Sequence, residues 1–309
     1  MGELPYDQVR TLLAVVDEGT FDAAAAVLHV TPSAVSQRVK ALEQRTGRVL
    51  LMRTKPVRPT ESGRVVVRLA RRLTALEEDA RRELGIADGS GPARLSIAVN
   101  ADSLATWLLP ALTRAARDGR VCFELYREDE AHTATLLREG RVMAAVTSLA
   151  EPVAGCTVRL LGLARYLAVA GPGFVARHLS DGPLTDRLPD APVIVFDRRD
   201  EMQDRFVRAL APERTGAGRH RHHVPTSEGF CAMVAAGLGW GLVPEVQAEP
   251  LLRSGALTRI APEHPWDVPL YWQQWKLEVP ALALVAEAVT AGAAEFLLPP
   301  GTRNSPGAG

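Results

Sequence analysis

The chain has 309 residues, of which 47% are apolar and 23% are charged, and its 36 Lys and Arg balance its 36 Asp and Glu. This length predicts two or three folded units, and the lack of any apolar run of about 20 residues excludes a membrane-spanning helix. Three isolated cysteines without metal-ligand spacing exclude a disulfide framework and a Cys/His zinc site. The N-terminal stretch MGELPYDQVR has no hydrophobic signal region, so we expect the protein to stay in the cytoplasm.

Three short helices are predicted in the first 46 residues. Thr20 and Thr31 can cap the second and third helices, and Pro32 fits the first turn of the third because its missing N–H costs nothing there. The third helix has an all-polar stripe opposite an apolar one. The apolar faces of the first and third helices are Val9, Leu12, Leu13 and Val16, and Val35, Val39 and Leu42.

This pattern is typical of a helix-turn-helix, whose second helix lies in the major groove of DNA. The alternative is an ordinary helical hairpin with a solvated polar face. Gln37 is long enough to bond an adenine edge from the polar stripe. The candidate DNA-contacting residues of this helix are Thr31, Pro32, Ser33, Ser36, Gln37 and Lys40.

The charge distribution favours the DNA interpretation. From His29 to Arg72 there are eleven Lys and Arg against two Asp and Glu, which leaves 25 against 34 in the rest of the chain. Cations clustered around a candidate recognition helix suit phosphate neutralisation. A short β run, Val49–Met52, followed by RTKPVRPTESG predicts a basic wing, with Arg53, Arg58 and Thr60 as further candidate DNA contacts.

A long helix is predicted from Thr60, its cap, to about Gly85. Its apolar residues recur at steps of three and four and form a single seam, which favours pairing with the same helix of a second subunit. Leu69, Leu73 and Leu76 would lie at the centre of this interface. The alternative is a helix packed on its own protein. The apolar seam consists of Val65, Leu69, Leu73, Leu76, Ala80 and Leu84.

Short β runs alternate with helical segments from Arg94 onward, after the Gly-rich hinge IADGSGPAR. Among them we expect a helix at Ser103–Asp118, a strand at Arg165–Ala170, and helices near Glu245–Arg253 and Pro280–Phe296. This alternation over about 200 residues predicts doubly wound α/β sheets. Two such subdomains would leave a ligand cleft at the carboxyl ends of the strands. His220, His222 and His223 alternate before Val224, which favours an exposed strand over a metal site.

The segments AAAAVLHVTPSAVSQRVKALEQRTG and RTKPVRPTESG, with the long helix and the two-lobed region, resemble the LysR-type transcriptional regulators along essentially the whole chain. VNADSLATW, VMAAVTS, SEGF with AAGLGWGLVPE, and YWQQWKL resemble the branch that senses lysine or arginine and controls basic amino acid export. Two positions depart from the pattern. Leu51 stands where Phe is common, and Asp197 stands where Asn is expected, which leaves the role of Asp197 open.

The resemblance implies an N-terminal all-α winged helix-turn-helix, an antiparallel linker-helix dimer that commonly forms tetramers, and a periplasmic-binding-protein-like effector domain. It implies double-stranded DNA and an amino acid effector as partners, RNA polymerase as a further one, and neither a cofactor nor a membrane. The implied units are residues 1–60, the linker 61–88, one lobe of 92–163 plus 267–300, the other of 164–266, and a disordered tail, 301–309.

Candidate effector contacts lie where the predicted strands end. Free backbone N–H groups at Asp102 and Ser103 would suit an amino acid carboxylate, and Asp102 could accept an ammonium or simply cap its helix. Glu128 and Asp129 could hold a cationic side chain or be solvated loop charges. Several carboxylates in one cleft favour a cationic effector, lysine or arginine. The remaining candidates are Thr147, at the end of the third strand, and Ser227 and Glu228, which open a helix of the other lobe.

Two other functional classes are compatible with parts of the chain. A solute-binding protein for transport would fit the α/β region, but the basic N-terminal unit and the absence of a signal region argue against it. An enzyme is not favoured, because no nucleophile–base pair, metal spacing or nucleotide-binding loop is present. The sequence therefore predicts a DNA-binding regulator that responds to a basic amino acid.

Overall fold

The computed structural model of the chain describes residues 3–86, 91–128 and 130–299, without the side chains of 130–132. The predicted effector contact Asp129, part of the predicted hinge (87–90) and the predicted tail (301–309) therefore lie outside the described residues. No helix in the described ranges is long and apolar enough to cross a membrane.

The first three helices form a compact domain. Val9 and Leu12 are buried as predicted, but Val15 takes the place of Val16 because the buried face of the first helix advances in steps of three. Ala24 and Ala25 are buried where the second and third helices meet. These helices are α1 (Tyr6–Glu18), α2 (Phe21–Val27) and α3 (Pro32–Thr46).

The wing is a two-stranded antiparallel sheet, β1 (Leu51–Met52) with β2 (Arg58–Pro59). It begins two residues later than predicted, because the N–H of Leu50 donates to the Glu43 carboxylate (2.8 Å) and not to a strand. The wing thus starts from a point fixed to the end of α3.

The linker helix is α4 (Glu61–Glu83). Thr60 caps it by accepting from the N–H of Gly63 (3.0 Å), as predicted. Gly63 is needed because a Cβ there would lie 1.9 Å from the carbonyl oxygen of Leu50. The buried face of α4, which packs against the N-terminal domain, consists of Gly63, Val66, Val67 and Ala70.

Arginines of α4 attach the linker to the effector region. Arg68 donates to the carbonyl of Arg138 (3.1 Å), and Arg72 donates to that of Gly155 (2.7 Å). The guanidinium of Arg72 also lies 5.6 Å from the ring centre of Trp275, within cation–π range. The linker therefore contacts both units that it joins.

Lobe 1, defined by residues 91–161 and 270–299, has one main core and a central set of three parallel strands. The helix predicted for Ser103–Asp118 begins earlier, at Ala101, and contains a π-helical turn, Leu104–Leu108. The elements are β3 (Ala93–Val99), α5 (Ala101–Ser103), α6 (Leu109–Ala115), β4 (Val121–Arg127), α7 (Glu130–Arg138) and β5 (Ala144–Thr147).

Two long strands connect the lobes, β6 (Cys156–Ala170) and β11 (Trp266–Trp275), paired antiparallel. The sequence predicted only residues 165–170 of β6, because its first half pairs in lobe 1 and its second half pairs in lobe 2 with β9 (Gly241–Pro244) and β10 (Thr258–Arg259). The lobes are thus joined by antiparallel crossing strands, which the doubly wound prediction did not include. The last helix, α13 (Pro280–Phe296), returns to lobe 1.

Lobe 2 occupies residues 164–266 and has two hydrophobic cores on either side of its sheet. Arg221–His223 forms a strand that pairs parallel with Val193–Val195, as the histidine alternation predicted. The elements are α8 (Pro172–His178), α9 (Leu184–Arg187), β7 (Val193–Val195), α10 (Met202–Leu210), β8 (Arg221–His223), α11 (Ser227–Ala235), β9 (Gly241–Pro244), α12 (Glu245–Arg253) and β10 (Thr258–Arg259).

Candidate functional site

The third helix presents one polar face to solvent. Val35, Val39 and Leu42 are buried in the domain core. This burial orients α3, so the opposite stripe is free to meet a partner. The exposed predicted contacts are Thr31, Pro32, Ser33, Ser36, Gln37 and Lys40.

The turn before α3 is held by its own hydrogen bonds. The hydroxyl of Thr31 accepts from the N–H of Ala34 (3.2 Å), as predicted for the cap. His29 adopts a left-handed backbone (φ 53°), and the N–H of Val30 donates to the carbonyl of Ala25 (3.0 Å). These contacts set the angle between α2 and α3.

Two of the three wing residues are open to a partner. Arg53 and Arg58 are exposed. The hydroxyl of Thr60 donates to the carbonyl of Val49 (2.7 Å) and accepts from the N–H of Gly63. Because both bonds lie within the domain, the geometry gives Thr60 a structural role and does not support the predicted DNA contact.

The linker helix has a second apolar face, which the described residues leave partly uncovered. Leu69 and Leu76 are 36% and 41% exposed. Leu73, the third predicted interface residue, instead packs partly against the core of the N-terminal domain. The alternative of a helix packed on its own protein is therefore correct for one face, whereas the predicted seam remains largely exposed.

The candidate effector residues of lobe 1 share one edge of the sheet. Strand β3 lies between β4 and β5, and all three are parallel, so their carboxyl ends meet. Asp102 and Glu128 follow the ends of β3 and β4, and Thr147 is the last residue of β5. Thr147 is fully buried and accepts from the N–H of Leu149 (3.2 Å), whereas Glu128 is half-buried.

The start of α5 differs from the prediction. Asn100 is the N-cap residue, and its Oδ1 accepts from the N–H of Ser103 (3.1 Å). The N–H of Ser103 is thus occupied and does not offer the predicted carboxylate site. Since Asn100 caps the helix, the alternative that Asp102 caps it is also wrong.

The carboxylate of Asp102 instead connects three elements. Its Oδ2 accepts from the hydroxyl of Tyr166 on β6 (2.8 Å), and its Oδ1 lies 2.6 Å from the hydroxyl of Ser227 at the start of α11. Ser227 is also 3.0 Å from Oε1 of Gln247 on α12. The structure therefore brings together Asp102 and Ser227, predicted from opposite lobes, and Glu228 follows Ser227 with an exposed side chain.

Electrostatics at this contact favour an incoming cation. Burial raises the pKa of Asp102, and the neighbouring carboxylates of Asp200 and Glu228 raise it further, while the hydrogen bonds from Ser227 and Tyr166 lower it. A cationic group beside Asp102 would oppose this upward shift, because an opposite charge stabilises the carboxylate.

Sequence reasoning missed Tyr166, Gln247 and Asp200. Tyr166 lies within an apolar strand and Gln247 within a helix, so neither carries a local signal. Asp200 accepts from the N–H groups of Phe196 (2.8 Å) and Met202 (2.9 Å), and burial raises its pKa. Asp197, whose role was open, accepts from the N–H groups of Arg199 and Asp200 and so closes a turn.

Metal chemistry has no support in the described ranges, where no group of three His, Cys, Asp or Glu could hold an ion. His222 and His223 lie on β8.

Two family profiles match the chain. One, described as "Bacterial regulatory helix-turn-helix protein, lysR family", matches residues 6–64. The other, described as "LysR substrate binding domain", matches residues 89–294. Together they span the N-terminal domain and the two-lobed region.

Curated relatives are similar over nearly the full chain. The HTH-type transcriptional regulator LysG of Mycobacterium tuberculosis is 46% identical over 305 residues, covering 99% of both chains. The lysine export transcriptional regulatory protein LysG of Corynebacterium glutamicum is 44% identical, covering 94% of this chain and 99% of its own.

Solved structures are similar in fold and in arrangement. ArgP from Mycobacterium tuberculosis gives a TM-score of 0.87 at 46% identity, covering 94% of this chain and 98% of that one. Full-length LysG from Corynebacterium glutamicum with bound effector Arg gives 0.82 at 43% identity, covering 96% and 100%. A second structure of that LysG, described without an effector, gives 0.62 at the same identity and coverage.

Proposed function

This chain belongs to the LysR family and is a DNA-binding transcriptional regulator, and we propose that its effector is a basic amino acid, lysine or arginine, bound between the two lobes. The observation that carries the proposal is the position of Asp102. Its carboxylate contacts lobe 2 through Ser227 and has Asp200 and Glu228 as electrostatic neighbours. A cation is the ligand that such a site favours.

The energetic argument concerns desolvation. A partly buried carboxylate among other carboxylates is unfavourable in its charged form, and a cationic ligand relieves this. A neutral ligand of the same shape would leave the carboxylate without an ionic partner. We therefore expect Asp102 to contribute more to selectivity than any apolar contact in the cleft.

The relatives support a basic amino acid. One is named as a lysine export regulator, and a structure of that protein holds arginine as its effector. The target gene that we propose is an exporter of basic amino acids or a gene of their metabolism.

Binding must alter DNA contacts to regulate transcription. By linkage, an effector acts only through a preference for one lobe arrangement. We infer that the exposed face of α4, with Leu69 and Leu76, pairs two subunits, that dimers assemble into tetramers, and that lobe arrangement changes their geometry on the operator. RNA polymerase would respond to this change of geometry on the operator. The regulator would therefore act in the cytoplasm.

A solute-binding protein without a transcriptional role, or an enzyme, is a weaker proposal. Neither would need the exposed polar stripe of α3 beside the exposed Arg53 and Arg58. We propose no catalytic activity and no cofactor besides the effector.

Calorimetry of the full-length protein with lysine, arginine and histidine, each with and without an operator selected from random DNA, tests the proposal. We expect lysine or arginine to bind and to change operator affinity. Binding of none of the three would contradict the proposed effector class, and failure to select any DNA sequence would contradict the assigned DNA readout.

A further inference from the structure

Arg71 of the linker helix binds two different folded units. Its Nη2 donates to Oδ1 of Asp17 (2.6 Å), and its Nη1 donates to the backbone carbonyl of Glu139 (3.4 Å). Asp17 lies in the last turn of α1 in the N-terminal domain, and Glu139 directly follows α7 in lobe 1. One guanidinium therefore joins the DNA-binding domain to the effector region of the same chain.

This contact is part of an arginine stripe on α4, formed by Arg64, Arg68, Arg71 and Arg72. Residues at these helical steps share one face of a helix. Arg68 and Arg72 donate to backbone carbonyls of lobe 1, and Nε of Arg64 lies 3.8 Å from the carboxylate of Glu139. Each arginine of the stripe thus has an acceptor in lobe 1.

The end of α7 fits this stripe in shape and in charge. Gly140, two residues after α7, has φ 71°, and a Cβ there would lie 3.0 Å from Cα of Arg68. The backbones therefore approach closely at this point. The carbonyls at the C-terminal end of a helix carry the negative end of its dipole, so guanidinium groups are favourable neighbours.

Arg71 is less exposed than an ordinary surface arginine. Its side chain is 20% exposed, and that of Asp17 is 45% exposed. Ion pairs between fully exposed side chains contribute little, because solvent screens their charges. The bond between Arg71 and Asp17 is short, charge-assisted and partly shielded, so it restrains the two units more than a surface pair does.

These contacts fix an angle that the chain connection does not. The chain joins α4 to β3 at one point, and domains connected in this way move relative to one another unless an interface holds them. The arginine stripe spans about 12 Å along α4, at 1.5 Å per residue. Contacts spread over this length fix the direction of the linker helix against lobe 1, and Arg71 extends the restraint to the N-terminal domain.

We propose that the contact of Arg71 with Asp17 and Glu139, here called the interdomain latch, fixes the helix-turn-helix to lobe 1 so that a change in lobe arrangement reaches the operator. This inference rests on the function proposed above and names how the effector signal reaches DNA. Without the latch, the DNA-binding domain would follow a rearrangement of the effector regions less closely. The coupling between effector and operator would then fall, while each binding site would stay intact.

The test measures the operator affinity of the full-length protein with and without saturating L-arginine, and the ratio of the two affinities is the coupling factor. Arg71→Ala removes both bonds of the latch, and Asp17→Ala removes one. Glu18→Ala is the matched control for Asp17→Ala, since Glu18 is the adjacent exposed carboxylate and has no ion pair among the described residues. Arg81→Ala is the control for Arg71→Ala, because in the described ranges Arg81 pairs only with Glu77 of its own helix. Calorimetry gives the arginine affinity of each variant without DNA.

We expect Arg71→Ala and Asp17→Ala to bring the coupling factor about threefold closer to one, the effect of one partly exposed ion pair. The double variant should match Arg71→Ala alone, because both changes remove the same contact. Both controls should keep the wild-type coupling factor. The arginine affinity without DNA should be unchanged in every variant, which separates the latch from the effector site.

Four results would overturn the latch. They are an unchanged coupling factor in Arg71→Ala; an equal change in the two controls; a double variant whose effect is the product of the two single effects; and a loss of arginine affinity in the latch variants without DNA. A wild type whose operator affinity does not respond to arginine would contradict the proposed function, and the latch with it. A wild type that responds, beside latch variants that respond equally, would contradict the latch alone.

Discussion

The hydroxyl oxygen of Ser227 lies 2.6 Å from Oδ1 of Asp102, so one hydrogen bond joins the first turn of α11 in lobe 2 to α5 in lobe 1. Tyr166, on a strand that crosses between the lobes, binds the other carboxylate oxygen. A cation that reaches Asp102 therefore acts on the contact between the lobes. Effector recognition and lobe arrangement depend on the same carboxylate.

Asp102→Asn should abolish the response to the effector and leave operator binding intact. The amide keeps the shape of the carboxylate and one of its two acceptor oxygens but removes its charge. Loss of one member of a partly buried ion pair costs at least about 2 kcal/mol, or about 30-fold in arginine affinity. Titration calorimetry and operator binding measure the two effects. Asp190→Asn, at an exposed ion pair in lobe 2, is the control and should bind arginine as the wild type does. Equal arginine affinity in Asp102→Asn would place the site elsewhere.

Effector affinity should rise with pH over the range in which Asp102 ionises. The raised pKa of Asp102, above its ordinary value of 3.8, means that the folded protein without effector holds a proton longer than the unfolded chain. The contribution of Asp102 to the free energy of unfolding is thus complete below pH 3.8 and is lost as the pH rises through the raised pKa. A cationic effector prefers the ionised form, so binding should release a proton, seen as a dependence of the calorimetric heat on buffer ionisation enthalpy. Asp200 also has a raised pKa, so the comparison with Asp102→Asn isolates the contribution of Asp102. A pH dependence identical in that variant would contradict the assignment.

Leu69→Asp and Leu76→Asp should dissociate the dimer without unfolding the chain. Both side chains are substantially exposed in the single chain, so a carboxylate is tolerated there but not in a subunit interface. Operator binding should be lost together with the dimer, because one subunit meets only half of a palindromic site. Sedimentation and thermal melting separate the two effects, with Leu149→Asp, at a similarly exposed position of lobe 1, as the control. Leu73→Asp is a poorer test because Leu73 also packs against the N-terminal core. A stable dimer in both variants would exclude this face as the interface.

Gln37→Ala and Arg58→Ala should change operator binding in two different ways. Gln37 on the exposed stripe of α3 should read a base, so its loss should relax preference at one position of each half-site, by about 1–3 kcal/mol. Arg58 on the wing should contact phosphate or the minor groove, so its loss should weaken binding to every DNA sequence. It should also reduce the salt slope of log K by about one per site. Binding to a randomised operator library at several salt concentrations measures both. Equal weakening of binding to all sequences by Gln37→Ala would contradict base readout by Gln37. An unchanged salt slope in Arg58→Ala would contradict a phosphate contact by Arg58.

Local signals predicted much of the fold and part of the site. The caps Thr31 and Thr60 and the buried stripe of α3 depend on residues a few positions apart, and the structure has them as predicted. Helices α12 and α13 begin and end where the sequence placed them.

The parts that were missed depend on distant residues. Tyr166 and Gln247 contact the predicted pair Asp102 and Ser227 only after the lobes fold together. No spacing in the sequence therefore indicates them. The linker helix has two apolar faces, and its periodicity alone could not assign Leu73, which lies between them and packs partly on the N-terminal core. Asn100 and not Asp102 caps α5, because the helix begins two residues before the predicted start at Ser103.

The most direct test of the account compares arginine with citrulline, its neutral isostere, in calorimetric titrations of the wild-type protein. The shapes are nearly the same, so the difference in affinity measures the charge that the carboxylates around Asp102 are proposed to recognise. We predict that arginine binds at least about 30-fold more tightly than citrulline, about 2 kcal/mol. Equal affinity for the two ligands would contradict the central claim that this cleft selects a cationic amino acid.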